Sequence, residues 1–288
     1  MSLQAVFVSP FVEFGFMRRA LVACLALGIG SGPIGVLLML RRMSLAGDAM
    51  SHAILPGAAF GFLVAGLSLP AMGLGGFAAG LAVALASGYV SRTTILREDA
   101  SFASFYLVSL ALGVMIVSLR GSSADLLHVL FGTILAIDNS ALVLIAGIAS
   151  ATALILALVY RPLVAECFDP GFLRSVAGRG SLYHLLFLAL VAANLVAAFQ
   201  ALGTLMAVGL MMLPAAVARL WARTLPGMIA VSTVVAAVSG YLGLAASYQA
   251  DTASGPTIVL TAGLFYGLSL IAGRGGFARR LLPRTRLT

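Results

Sequence analysis

The sequence predicts an all-α protein: a polytopic bundle of eight to nine transmembrane helices that forms one domain over residues 1–288. Of its 288 residues, 61% are hydrophobic and only 9% are charged, a balance far from that of soluble globular proteins. Apolar runs of about 20 residues, long enough as helices to cross a hydrocarbon core of ~30 Å, recur along nearly the whole chain. These runs lack the two-residue alternation of a membrane barrel, so helices are the structure that satisfies the backbone in lipid.

Nine apolar runs between Arg, Pro and Gly residues define the predicted spans. They lie at 19–40, 50–70, 72–90, 101–119, 141–160, 182–200, 203–222, 226–247 and 256–273. A different division of residues 182–222 leads to eight spans instead. The Gly-rich part of the third run, GLGGFAAGLAVALASG (73–88), is typical of helices that pack closely.

The N-terminal segment, residues 1–18, precedes the first span. It has no basic region before its apolar stretch and no small-residue cleavage site after it, so we expect no cleaved signal peptide. Several aromatic side chains between residues 5 and 16 favour a helix at the level of the lipid headgroups.

The charge of the chain indicates its orientation and excludes a nucleic-acid partner. The net charge is +8, but the 17 basic residues are all Arg and lie in short gaps between apolar runs rather than in one patch. Fourteen of them fall on one side of the membrane and three, Arg18, Arg19 and Arg120, on the other. The positive-inside rule makes the first side cytoplasmic, including the 161–181 loop and a basic tail over 274–288.

The segment between the first two spans carries the strongest candidate site. Asp48 and His52 are four residues apart, so on a helix they project from one face. A carboxylate oxygen and an imidazole nitrogen together suit zinc or manganese, and Ser51 adds a hydroxyl. The alternative is that Asp48 pairs with Arg41 or Arg42 and His52 bonds a carbonyl. Ionisable residues in a membrane span are costly to bury, which favours a role in a substrate pathway.

Two further histidines, His128 and His184, also lie beside predicted spans. His128 lies three residues after Asp125, so it is a further candidate metal ligand or an interfacial histidine with an ordinary partner. His184 begins the sixth run beside Tyr183, and we interpret it as structural.

The cytoplasmic loop FDPGFLRSVAGRG, residues 168–180, predicts a short amphipathic helix outside the bilayer. Such a helix docks on a partner or lies on lipid headgroups. The chain contains no Lys, so the phosphate-binding motif GxxxxGK followed by Ser or Thr is absent. Any ATP hydrolysis would therefore be supplied by another chain, and we expect this chain not to be an enzyme.

Four segments together resemble the ABC-3 family of zinc and manganese permeases, in the same order and over nearly the entire chain. The first of them, which contains Asp48 and His52, is the most specific. The segments are RRMSLAGDAMSHAILPGAAFGFL (41–63), FDPGFLRSVAG (168–178), LMMLPAAVARLWART (210–224) and DTASGPTIVL (251–260).

The resemblance implies a permease subunit in the cytoplasmic membrane that moves Zn²⁺, the favoured cargo, or Mn²⁺, with no permanently bound cofactor. It implies a paired permease, most simply a homodimer, with two ATPase subunits inside and a metal-binding receptor protein outside. Asp48 and His52 match the family's metal-contacting residues. Asp169, Phe172 and Arg174 match its cytoplasmic coupling segment and become candidates for contact with the ATPase.

Two other functions are alternatives to a metal-ion permease. A permease for a metal chelate such as a siderophore or cobalamin would share the ATP-driven scheme but needs a wide apolar passage. An intramembrane metalloenzyme would need a fuller ligand set such as HExxH, which this chain does not contain.

Overall fold

Helices make up nearly all of the chain that the computed structural model describes, namely residues 7–66, 68–118, 137–168, 180–202 and 204–276. These residues contain no strand, which confirms the all-α class. The helices are α1 (Ser9–Glu13), α2 (Gly15–Leu40), α3 (Ser44–Ala53), α4 (Leu55–Ala65), α5 (Leu69–Thr93), α6 (Glu98–Ser118), α7 (Asn139–Leu158), α8 (Tyr160–Phe168), α9 (Gly180–Leu202), α10 (Thr204–Trp221), α11 (Leu225–Ala250) and α12 (Ser254–Ala272).

Each of the nine predicted runs contains a helix or a helix pair. Eight candidate spans in the described part of the chain are long and apolar enough to cross a membrane. The seventh run, 203–222, forms α10, whose apolar part, Met206–Trp221, is shorter than the others. The structure divides residues 182–222 into two helices, α9 and α10, as the list of nine runs does. The count is eight without α10 and nine with it, and the polytopic class holds for both.

The second span differs from its predicted range of 50–70. Its helix begins at Ser44, is interrupted at Ile54 and ends at Ala65, where Gly66 has φ of 65°. Polar residues in α3 lower its hydropathy, so the apolar run began later than the helix does. Pro56 has no N–H to donate to the preceding turn. At the end of α3, the Ala53 carbonyl is bonded from a neighbouring helix: the Ser109 hydroxyl of α6 donates to it at 3.1 Å.

The helices pack in two groups joined by α9. One group contains α2, α7, α10, α11 and α12, the other contains α3, α4, α5 and α6, and α9 contacts both; α3 also contacts α2 and α10 directly. Small residues permit close approach: a Cβ on Gly57 of α4 would collide with the carbonyl oxygen of Gly75 in α5, and a Cβ on Gly35 with that of Met211. Gly75 belongs to the Gly-rich run that predicted such packing.

The N-terminal segment is anchored to α11. Phe11 is 8% exposed, and its ring stacks on Tyr241 with centroids 5.0 Å apart. The Tyr241 hydroxyl donates to the Phe7 carbonyl at 2.7 Å. The short helix α1 therefore packs on the bundle, whereas its position relative to lipid headgroups stays a prediction. Residues 1–6 and 277–288 lie outside the described part of the chain.

Candidate metal site

A tight turn directs α3 into the bundle. The Arg41 N–H continues the helical bonding of α2 by donating to the Leu37 carbonyl at 3.0 Å, and the Met43 N–H donates to Leu38 at the same distance. Arg42 adopts φ of 60°, the left-handed conformation that commonly ends a helix. Because the turn lasts only three residues, α3 starts at a defined angle to α2.

One face of α3 is buried and the other is accessible in the single chain. Ala46, Ala49, Met50 and Ala53 are at most 4% exposed. They pack mainly towards α6, with further contacts to α5, α9 and α10. On the accessible face lie the two side chains that the sequence singled out.

The Asp48 and His52 side chains lie side by side. The distance from Asp48 Oδ1 to His52 Nε2 is 3.9 Å, and the side chains are 58% and 35% exposed, respectively. This distance is too long for a direct hydrogen bond. Two ligand atoms of a tetrahedral zinc ion, each about 2.1 Å from the metal, lie roughly 3.4 Å apart. A small side-chain rotation therefore brings both atoms within reach of one cation.

The His52 ring stacks on the ring of Tyr106 in α6, with ring centroids 5.9 Å apart and an interplanar angle of 30°. His52 Nδ1 is buried and has no hydrogen-bond partner among the described residues, so Nε2 is the nitrogen next to Asp48. Sequence reasoning missed Tyr106, since a single aromatic residue in an apolar run carries no sign of a long-range contact.

Ser51 and Arg41 are occupied elsewhere. The Ser51 hydroxyl is buried and donates to the Asp48 carbonyl at 2.7 Å, which leaves its part in metal binding a prediction. Arg41 forms an ion pair with Glu166 of α8, with Nη2 and Oε1 3.3 Å apart. The alternative pairing of Asp48 with Arg41 is therefore not the one that the structure contains.

The remaining candidates lie outside the described residues. These are His128 and the three coupling candidates, Asp169, Phe172 and Arg174. Within the described ranges, no group of three or more His, Cys, Asp or Glu side chains is placed to hold a metal ion. Since zinc sites in proteins have three or four protein ligands, the described part of one chain supplies only part of a coordination sphere.

The chain is similar to several characterised membrane proteins. It is 35% identical over 263 residues to the manganese import system permease protein ScaB of Streptococcus parasanguinis, covering 91% of this chain and 92% of that protein. It is 32% identical over 269 residues to the chelated iron transport system membrane protein YfeD of Yersinia pestis, covering 93% and 89%.

A solved structure shares the fold. PsaBC from Streptococcus pneumoniae, in complex with a Fab, superposes with a TM-score of 0.84 and 33% identity, covering 95% of this chain and 97% of the other. The apolar helices and these membrane-protein relatives identify a multi-pass protein of the cytoplasmic membrane. The model of the ABC 3 transport family matches residues 13–273, and the chain therefore belongs to the ABC-3 family.

Proposed function

We propose that this chain is the permease subunit of an ATP-driven importer for a divalent transition metal ion, with Mn²⁺ as its cargo. The observation that carries the proposal is the Asp48 and His52 pair, whose ligand atoms are 3.9 Å apart on an accessible helix face. The sequence favoured zinc over manganese. The name of ScaB now favours manganese, and Zn²⁺ is the competing cargo in the test below.

The chemistry of the pair suits passage rather than permanent binding. A carboxylate and an imidazole replace part of the hydration shell of the ion, and mixed oxygen and nitrogen ligands accept both Mn²⁺ and Zn²⁺. Two ligands per chain hold an ion loosely enough for release. Asp48 and His52 therefore form a transient binding site on the transport pathway.

The exposure of the pair supports a second permease subunit. Ionisable side chains in a membrane span face a protein interior or an aqueous cavity rather than lipid. In the single chain Asp48 is exposed, as is Leu45 one turn earlier at 73%. A second copy of the chain facing α3 would shield this surface from lipid and supply further ligands, so we propose a homodimer with the pathway between its subunits.

The energy source and the metal delivery belong to other chains. We propose that ATPase subunits bind the cytoplasmic segment between α8 and α9 through Asp169, Phe172 and Arg174. A metal-binding receptor protein delivers the ion from outside. The support for both partners is the family to which the chain belongs.

Metal uptake by the assembled system tests the proposed cargo and site. The permease, its ATPase and its receptor would be reconstituted in vesicles, and ATP-dependent ⁵⁴Mn²⁺ uptake measured with and without competing Zn²⁺. Asp48→Asn and His52→Gln should each lower uptake by roughly 10- to 100-fold, at least the loss seen for residues that only orient metal ligands.

Asp251→Asn is the matched control, because Asp251 is an exposed carboxylate at the far end of α11 with φ of 50°, a conformation that Asn also tolerates. Mn²⁺ uptake by the Asp251→Asn variant should stay close to that of the unmodified protein. Unchanged uptake in the Asp48 and His52 variants would refute the site, and preferential transport of Zn²⁺ would refute the choice of manganese.

The name of YfeD supports a chelate as an alternative cargo. Uptake of free Fe²⁺ and of a ferric chelate by the same vesicles separates the two possibilities. A bare ion requires the ligands of Asp48 and His52, whereas transport of a chelate should be insensitive to Asp48→Asn.

A further inference from the structure

The Arg41 side chain joins three helices at one end of the bundle, on the side that the Arg distribution makes cytoplasmic. Its guanidinium pairs with Glu166 of α8 at 3.3 Å, and the side chains are only 6% and 4% exposed. Its Cζ also lies 4.5 Å from the centre of the Phe187 ring in α9. Phe187 is fully buried, so the cation stacks on the ring away from water.

The two partners of Arg41 lie on either side of residues 169–179 along the chain. Glu166 lies three residues before Asp169, where the coupling segment begins, and Phe187 lies in the first two turns of the helix that follows that segment. Arg41 therefore contacts both helices that flank residues 169–179.

Arg41 is equally close to the candidate metal site. It directly follows α2, and α3 begins three residues later at Ser44, after the turn formed by Arg41, Arg42 and Met43. Met43 is 7% exposed and its N–H is bonded to Leu38, so this turn has little freedom to absorb a displacement. The turn therefore links the position of Arg41 to the start of the helix that carries Asp48 and His52.

We propose that Arg41, Glu166 and Phe187 are positioning residues that transmit movement of α8 and α9, the helices on either side of residues 169–179, to the helix carrying the metal pair. This inference rests on the proposed function. The planar guanidinium is suited to the task because it holds a carboxylate and an aromatic ring at once, which a Lys ammonium does less well. We call these three residues the coupling junction.

If Arg41 and Glu166 only stabilised the fold, an apolar pair in their place would serve equally well. Replacing both residues by apolar ones therefore distinguishes a structural role from the proposed positioning role. In Arg41→Met combined with Glu166→Leu, no charge is left buried without a partner, so the bundle should still assemble. The directional contact is lost, however. ATP hydrolysis and ⁵⁴Mn²⁺ uptake would be measured together on the full complex in vesicles.

The double variant should hydrolyse ATP at a rate close to that of the unmodified complex while the number of Mn²⁺ ions imported per ATP falls roughly tenfold, a typical coupling between sites. The control pair is Thr152→Val with Asn194→Leu, which removes a buried contact of 2.8 Å between α7 and α9. That pair should leave the ratio unchanged.

An unchanged ratio in the junction variant, or a parallel fall of uptake and hydrolysis, would overturn the proposal, as would an equal fall of the ratio in the control. Should the double variant fail to accumulate, Glu166→Gln keeps the shape of the side chain and removes its charge. It should also lower the ratio, and an unchanged ratio would again overturn the proposal. Absence of ATP-dependent Mn²⁺ uptake in the unmodified complex would instead refute the proposed function.

Discussion

Two polar pairs near the junction of α2 and α3 are built in opposite ways. Asp48 and His52 belong to one helix, are separated by 3.9 Å and are 58% and 35% exposed. Arg41 and Glu166 belong to different helices, are separated by 3.3 Å and are almost fully buried. The first pair is open to a partner that arrives from outside the chain, whereas the second pair has its partner already.

The two pairs differ because placing charges in a membrane protein costs free energy, and each pair offsets this cost in a different way. A buried ion pair is held together because separating it strands a charge at low dielectric constant. A loose pair on an accessible face binds a cation and releases it without unfolding anything. In the proposed function, the first pair contacts the cargo and the second keeps the positions of neighbouring helices linked.

The largest expected effect comes from removing one partner of the buried Arg41 and Glu166 pair. Arg41→Met leaves Glu166 without its partner and should lower the stability of the folded permease by about 3–5 kcal/mol. Thermal unfolding of the purified protein in detergent measures the loss. Adding Glu166→Leu should recover most of it, and equal destabilisation of the single and double variants would contradict the comparison.

The next effect concerns the open pair. Asp48→Ala should change unfolding free energy by no more than about 0.5 kcal/mol, because the side chain is exposed and away from the core. Metal uptake should nevertheless fall by at least roughly tenfold. Parallel measurement of the thermal midpoint and of ⁵⁴Mn²⁺ uptake checks both statements, and a large fall in the midpoint would show that the pair is structural.

The burial around the Arg41 and Glu166 pair should also lower the reactivity of the nearby Cys167 thiol. Burial raises the pKa of the Cys167 thiol, and the nearby Arg41 offsets this only in part. Since the thiolate is the reactive form, maleimide should label Cys167 several-fold more slowly near neutral pH than a cysteine introduced at exposed Ile95, and the rate should climb as pH rises.

The labelling would be carried out in a Cys24→Ala background, because Cys24 is the other free cysteine and is buried in α2. Rapid labelling of Cys167 at neutral pH would show that the environment of the Arg41 and Glu166 pair is more open than described.

The smallest expected effect comes from Tyr106, which lies beside His52 of the exposed Asp48 and His52 pair. Tyr106→Leu removes the ring beside His52 while keeping an apolar side chain. Aromatic pairs contribute about 0.5–1.5 kcal/mol beyond area burial, so Mn²⁺ uptake should fall by roughly threefold. Tyr89→Leu, at a tyrosine 70% exposed on α5, is the control. A loss as large as that of His52→Gln would mean that Tyr106 itself contacts the ion.

The second span shows where local patterns stop being informative. Its apolar run predicted one helix over 50–70, yet the structure has two helices, α3 and α4, with an interruption at Ile54. Pro56 was visible in the sequence, but the bond that the Ala53 carbonyl accepts at this break comes from Ser109 on another helix. Hydropathy averages over a window and therefore places neither the start at Ser44 nor this break.

Composition and local spacing were sufficient for the helical class, the membrane location and the placing of Asp48 and His52 on one face, because these depend on residues within a few turns of each other. The tertiary structure alone brought Glu166 and Phe187 to Arg41 and Tyr106 to His52. Those partners lie on separate helices, and no periodicity along the chain records which helices become neighbours. Packing in three dimensions selects them.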